Sequence, residues 1–107
     1  MSLIEIKSEG ALERHASENN TPKSALLFGA DWHEACPMLK MVLGALSAAH
    51  ENKKILFGDI DAESAFDLSE KFNVTMVPTI VLLVGRKMKE CLQGEVLLDP
   101  SHVTLAV

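Results

Sequence analysis

The chain has 107 residues, of which 48% are hydrophobic and 23% are charged, as is typical of one folded domain. Its formal net charge of −5 at pH 7 argues against binding to the phosphate backbone of nucleic acids. The longest apolar run, Thr79–Val84, is much shorter than the ~20 residues of a membrane-spanning helix. We therefore expect one domain over residues 1–107, which a longer protein could contain, and neither a nucleic acid nor a membrane as its partner.

The cysteine content and the first residues of the chain bear on its location. Two cysteines, Cys36 and Cys91, are too few for the disulfide framework of a small secreted protein. Residues 1–7 lack the basic start and the apolar stretch of a secretory signal. Both observations favour a cytoplasmic protein.

The apolar pattern of the first 72 residues predicts strands that alternate with helices. The predicted elements are a strand at 3–6, a helix at 10–20, a strand at 25–28, a helix at 36–50, a strand at 55–57 and a helix at 64–72. Ser8 is a possible N-cap of the first helix. Such alternation predicts parallel strands with helices on both faces of the sheet.

The remaining residues predict a hairpin and a last helix. The β-branched run at 79–84 is the strongest strand signal in the chain, and Gly85-Arg86 would turn it towards a partner strand at 87–92. Asp99-Pro100 has the pattern of a helix start. The predicted order is β-α-β-α-β-α-β-β-α, an α/β fold whose closing hairpin makes the sheet mixed.

Several apolar side chains of the two later helices are candidates for the core. Met38 and Met41 belong to the helical apolar pattern of the second helix. Phe66, Leu68 and Phe72 are the apolar candidates of the third helix. We expect these side chains to pack against the sheet.

Cys36 is the first candidate for chemistry, because it follows a predicted buried strand and opens the longest predicted helix. The unpaired N–H groups and the positive dipole end of a helix start stabilise an anion such as a thiolate. Two interpretations stay open: a reactive thiol, or an inert cysteine kept for packing. His33, three residues earlier, could act as a base or metal ligand beside it, or be an exposed histidine without chemistry.

Two short motifs identify a related family. Trp32, preceded by Ala30-Asp31 and followed four residues later by Cys36, resembles the Trp-Cys-x-x-Cys motif of thioredoxins. Val77-Pro78-Thr79 resembles the loop that carries the cis-proline of that family. The resemblance covers roughly residues 3–105 and implies the thioredoxin fold, a central mixed β-sheet with helices on both faces. It also implies an apolar groove at Trp32, Val77 and Pro78 that binds extended peptides.

The sequence departs from the thioredoxin pattern at two functional positions. His33 stands where the family has its attacking cysteine, and Leu27 stands where it has a buried aspartate. Dithiol exchange needs one thiol to attack and a second to release the mixed disulfide, so we expect no dithiol oxidoreductase activity. The pattern of Trp32 and a single Cys36 is similar to that of the N-terminal thioredoxin domain of multidomain monothiol glutaredoxins. That resemblance implies a docking role in iron–sulfur homeostasis.

Three functions follow from these residues. The first is a protein-docking module in redox or iron–sulfur homeostasis, with Trp32, Cys36, Val77 and Pro78 at its site. The second is a monothiol oxidoreductase in which Cys36 exchanges with glutathione mixed disulfides and His33 assists. The third is a metal or cluster binder that uses His33 and Cys36 across a dimer. We expect no bound metal or cofactor in the first two, with glutathione as a co-substrate in the second, and the oligomeric state is left open.

Overall fold

The structure is a computed structural model that describes residues 3–19, 22–30, 35–49, 55–85 and 87–93. Its elements are β1 (Ile4–Glu5), α1 (Glu9–Asn19), β2 (Lys23–Gly29), α2 (Ala35–Ala49), β3 (Ile55–Asp61), α3 (Phe66–Lys71), β4 (Thr79–Val84) and β5 (Lys87–Gln93). This order confirms the predicted alternation and the hairpin, whereas the helix predicted from Asp99-Pro100 lies outside the described residues. None of the described helices is long and apolar enough to cross a membrane.

Ser8 acts as the N-cap that the sequence indicates. The backbone N–H of Ala11 donates a hydrogen bond of 3.1 Å to Ser8 Oγ, which satisfies one of the unpaired donors of the helix start. The helix α1 begins at Glu9, one residue before the predicted start.

The five strands form one mixed sheet in the order β1-β3-β2-β4-β5. The first three strands are parallel, as predicted, while β4 runs antiparallel to β2 and β5 runs antiparallel to β4. The reversal at β4 was not predicted, because the prediction placed the change of direction at the closing hairpin. The chain therefore begins β4 at the end of the sheet where β3 finished. The helix between the two strands, α3, has only six residues and spans about 9 Å.

The central strand β2 divides the core into two layers, because its side chains alternate between the faces of the sheet. Leu26 and Phe28 belong to the layer that α1 and α3 cover, through Leu12 and Leu68. Ala25 and Leu27 belong to the layer that α2 covers, with Leu39, Leu43 and Leu46. The predicted helices on both faces are thus confirmed.

The predicted core positions of the later helices are partly wrong. Leu68 and Phe72 are buried, but Phe66 is 72% exposed, because a residue two positions before Leu68 lies on the other side of a helix. Met38 and Met41 are 40% and 76% exposed. The inward face of α2 carries Leu39, Leu43 and Leu46, which leaves no place for either methionine.

Gly58 of β3 provides a test of how closely the first layer is packed. A methyl group on its Cα would lie 2.6 Å from Ile6 Cδ1 and 2.9 Å from Leu26 Cδ2. Both neighbours are essentially fully buried, and a close-packed core resists the shift of their terminal methyl groups. We expect Gly58→Ala to lower the free energy of unfolding by about 1–3 kcal/mol, as measured by urea titration.

The matched control for this substitution is Gly10→Ala, in the first turn of α1. The methyl group there would have Ser8 Oγ at 3.9 Å as its nearest neighbour. Alanine is a better helix former than glycine, so this variant should gain about 0.5–1 kcal/mol. Equal stability of the two variants in urea titrations would contradict the packing described for β3.

Candidate functional site

The thiol of Cys36 lies inside the protein rather than on its surface. Cys36 is the second residue of α2 and is only 2% exposed. A methyl group on Gly29 would lie 3.0 Å from Cys36 Sγ, so the sulfur rests against the backbone of the last residue of β2. This position favours the packing interpretation of Cys36 over that of an accessible nucleophile.

The residue in the position of the family's buried aspartate contributes to the same layer as α2. Leu27 is completely buried and packs in the cluster that includes Leu39 and Leu43. Its neighbour on β3 is Asp59, whose carboxylate lies 3.3 Å from Lys40 Nζ on α2. Because both groups of that ion pair are partly exposed, it contributes at most about 1 kcal/mol. The helix α2 is therefore held mainly by apolar contacts.

The loop before β4 contains the cis-proline that the resemblance implies. The peptide bond between Val77 and Pro78 is cis, and both residues are half-buried. Thr79, which is fully buried, donates a hydrogen bond of 2.7 Å from Oγ1 to the carbonyl oxygen of Met76. Gln93 Nε2 donates in turn to Thr79 Oγ1 at 3.4 Å. Thr79, the first residue of β4, thus fixes the position of the loop.

The end of β2 brings these parts of the site together. Phe28 is paired with Thr79 of β4, and the carbonyl oxygen of Gly29 accepts a hydrogen bond of 3.0 Å from the N–H of Ala62. Cys36, the turn after β3 and the loop before β4 therefore lie at one end of the sheet. Trp32 and His33 are outside the described residues, so the Trp32 side of the groove and the His33–Cys36 pair stay predictions.

An open groove borders this loop. It is lined by Ala62, Glu63, Phe66, Val74, Met76 and Val77, and we call it the Phe66 groove. The exposed fractions of Phe66 and Met76 are 72% and 49%. Sequence reasoning did not place either residue at the site, although one signal was available. Phe66 and Leu68 are two residues apart and cannot share a helix face.

The second cysteine is separate from the first. Cys91 lies exposed on β5, and both cysteines are free thiols. Partial desolvation raises the pKa of the Cys91 thiol above its ordinary value, so this residue holds little thiolate at neutral pH. Cys91 is therefore a strand residue, as expected, and is poorly suited to react as a thiolate.

Metal binding at this site depends on a residue that the structure does not describe. Within the described ranges, no three His, Cys, Asp or Glu side chains are grouped closely enough to hold a metal ion. His33 lies outside those ranges. The site shared by His33 and Cys36 across a dimer thus stays a prediction.

The mixed five-stranded sheet with helices on both faces defines the thioredoxin fold. The thioredoxin of Fasciola hepatica superposes with a TM-score of 0.83 at 19% identity, over 97% of this chain and 95% of that chain. The thioredoxin family model matches residues 9–100. The chain therefore belongs to the thioredoxin family.

Two curated relatives show how the chain compares within that family. It is 30% identical over 84 residues to monothiol glutaredoxin-4 of Saccharomyces cerevisiae, over 78% of this chain and 34% of that protein. It is 36% identical over 55 residues to a thioredoxin of Echinococcus granulosus, over 51% of this chain and 50% of that protein. The chain thus spans about a third of the first relative and about half of the second.

The contact between Cys36 and Gly29 can be tested by a double-mutant cycle. We expect Gly29→Ala to lower the free energy of unfolding by about 1–3 kcal/mol, since the new methyl group crowds the sulfur. In a Cys36→Ala background the sulfur is absent, so the same substitution should cost at least 0.5 kcal/mol less, beyond the usual additivity error of roughly 0.3–0.5 kcal/mol. Urea titrations of the four proteins measure this coupling.

Gly58→Ala is the control for this cycle, because Gly58 contacts Ile6 and Leu26 instead of Cys36. Its cost should be the same with and without the Cys36→Ala substitution. A Gly29→Ala cost that is unchanged by removal of the sulfur would show that Cys36 does not rest on Gly29.

Proposed function

We propose that this domain is an atypical thioredoxin-like docking module in redox or iron–sulfur homeostasis, without dithiol oxidoreductase activity. The observation that carries the proposal is the burial of Cys36, which is 2% exposed, at the same end of the sheet as the loop that contains Val77 and Pro78. The site offers a place for a partner to bind but keeps its thiol in the core.

The chemistry of disulfide exchange supports this separation of binding from reaction. A dithiol cycle needs a thiolate that attacks and a second thiol that releases the mixed disulfide. The sequence has His33 in the place of the attacking cysteine, and the remaining cysteine, Cys91, lies on β5. An attack by Cys36 would require its sulfur to leave the contact with Gly29.

The loop at Pro78 retains the features that suit docking. Val77 and Pro78 are half-buried, and Thr79 holds the carbonyl of Met76 by a hydrogen bond of 2.7 Å. A surface that is held in one conformation loses little entropy when a partner binds. An extended peptide could therefore pair with this loop without any contribution from a thiol, and Trp32 would complete the site.

The relative named monothiol glutaredoxin-4 supports a role in a longer protein. This chain aligns with only 34% of it, so the docking module could work beside other domains. The module has no metal or cofactor of its own and works in the cytoplasm, as the sequence predicts.

One observation favours a second candidate function, that of a monothiol oxidoreductase. Cys36 lies in the first turn of α2, a helix of 15 residues, where unpaired N–H groups stabilise an anion. Opening of that first turn would present a thiolate to glutathione mixed disulfides, and His33 could assist. Attack by this thiolate would release the reduced peptide and leave Cys36 bound to glutathione. A second glutathione would then free the Cys36 thiol and form oxidised glutathione.

The two candidates are separated by an assay of deglutathionylation. A glutathionylated peptide is incubated with glutathione and with the wild-type domain, Cys36→Ser or Cys91→Ser. We expect all three proteins to match the buffer rate, because the sulfur of Cys36 is buried. Insulin reduction by dithiothreitol should likewise stay at the buffer rate, with a two-cysteine thioredoxin run in parallel as a positive control.

The Cys91→Ser protein is the matched control, since it keeps Cys36. A rate that is raised in the wild-type and Cys91→Ser proteins and lost in Cys36→Ser would establish the monothiol oxidoreductase instead.

A further inference from the structure

We propose that the Phe66 groove binds a basic peptide segment that carries one bulky apolar side chain. The apolar side chain would cover Phe66 and Met76, and arginine or lysine residues on either side would face the carboxylates around the groove. This inference rests on the proposed docking function and specifies which chemistry the partner presents.

The apolar part of the groove is unusual because two large side chains from different elements are exposed together. Phe66 projects from α3 and Met76 precedes the cis peptide, and their exposed fractions are 72% and 49%. Ala62, Val74 and Val77 add further apolar lining. Apolar surface of this kind gains free energy when another apolar group covers it.

Phe66 is exposed because of the way in which α3 packs against the sheet. Leu68 and Phe72 fill the contact with the sheet, and Ala65, the residue before the helix, is also buried. No room is left in that layer for the ring of Phe66. The ring therefore lies outside the core, where it lines the groove.

Backbone hydrogen bonds hold both walls of the groove. The N–H of Ala65 donates to the carbonyl oxygen of Asp61 at 2.9 Å, and the N–H of Val74 donates to that of Ser69 at 2.8 Å. Ser69 Oγ donates to the carbonyl oxygen of Ala62 at 3.4 Å. The groove is therefore formed before a partner arrives, which lowers the entropy lost on binding.

The charges near the groove favour a positively charged partner. Residues 61–77 contain four carboxylates, at Asp61, Glu63, Asp67 and Glu70, and a single cation, Lys71. Lys71 is already paired with a carboxylate of α1, that of Glu9. Asp67 is turned towards α1, where its Oδ2 accepts a hydrogen bond of 2.8 Å from the N–H of Glu9. Asp61 Oδ1 accepts a hydrogen bond of 3.0 Å from the N–H of Glu63, so the carboxylates of Asp61 and Glu63 form the rim of the groove. This rim attracts arginine and lysine side chains and repels acidic ones. Glu63 itself lines the groove, so a basic side chain next to the apolar anchor meets a carboxylate.

An extended peptide can present one apolar residue and two basic residues to the same surface. Residues of an extended chain rise about 3.3 Å each, and residues two apart point to the same side. An apolar residue over Phe66 thus places the side chains two positions before and after it about 7 Å away on the same side. Basic residues at those positions face the rim of the groove.

Binding of labelled synthetic peptides tests the inference. The basic probe is a ten-residue peptide with one leucine, arginine two positions to each side, and serine, threonine or glycine elsewhere; the acidic probe has glutamate in place of both arginines. By fluorescence anisotropy at low salt, the basic probe should bind the wild-type domain at least tenfold more tightly than the acidic probe. The preference should weaken at high salt, because the rim is exposed.

Variants at exposed positions locate the binding site without disturbing the fold. Phe66→Ser should weaken binding of the basic probe at least fivefold, whereas Met41→Ser, which removes another exposed side chain from α2, should not. Glu63→Gln should weaken the basic probe more than Glu90→Gln does, although both remove one negative charge. Glu90 is exposed on β5 and does not line the groove.

The outcomes distinguish this inference from the docking function on which it rests. Equal binding of the two probes, or equal effects of Glu63→Gln and Glu90→Gln, would overturn the basic partner. Binding that survives Phe66→Ser but is lost in Val77→Asp, where the groove meets the Pro78 loop, would overturn Phe66 as the anchor of the partner and leave docking at the Pro78 loop standing. Binding of neither probe to a wild-type domain that is folded by circular dichroism would overturn both.

Discussion

The contact between Cys36 Sγ and the backbone of Gly29 joins the start of α2 to the end of β2, and the rest of the site depends on it. The same strand end pairs with Thr79 beside the cis-proline loop and accepts a hydrogen bond from Ala62 after β3. A glycine at this point lets the helix approach closely enough for the sulfur to be covered. One strand end thus determines the positions of both the buried thiol and the loop at Val77 and Pro78.

This separation explains how a member of the thioredoxin family could keep recognition without exchange. Recognition needs an apolar surface with a fixed backbone, and in the proposed docking role the loop at Val77 and Pro78 and the adjacent Phe66 groove would supply it. Exchange needs an accessible thiolate and a second thiol. With Leu27 in the core and His33 in place of a cysteine, the residues around Cys36 favour packing over proton transfer.

The sequence predicts much of the fold, because its strands are continuous apolar runs. The runs from Ala25 to Phe28 and over Thr79–Val84 predict buried strands for that reason. The motifs around Trp32 and Pro78 indicate the family. The phase of an apolar helix is harder to predict: α2 has apolar residues on all sides, so Met41 could not be distinguished from Leu39 by pattern alone. Cys36 is buried because Gly29 has no side chain and lets α2 approach β2. This contact joins two elements, so the local apolar pattern of the sequence does not reveal it. The direction of β4 depends on its antiparallel pairing with β2, which the apolar run of β4 does not reveal.

The central claim, that Cys36 is covered in the folded domain, is tested most directly by its alkylation at increasing urea concentrations in a Cys91→Ser background. If the sulfur is covered, it reacts only when the domain opens. The free energy of protection should then equal the free energy of unfolding and fall with urea along the same slope. Alkylation in native buffer at the rate of a free cysteine, unchanged by urea below the unfolding transition, would show an accessible thiol and contradict the account.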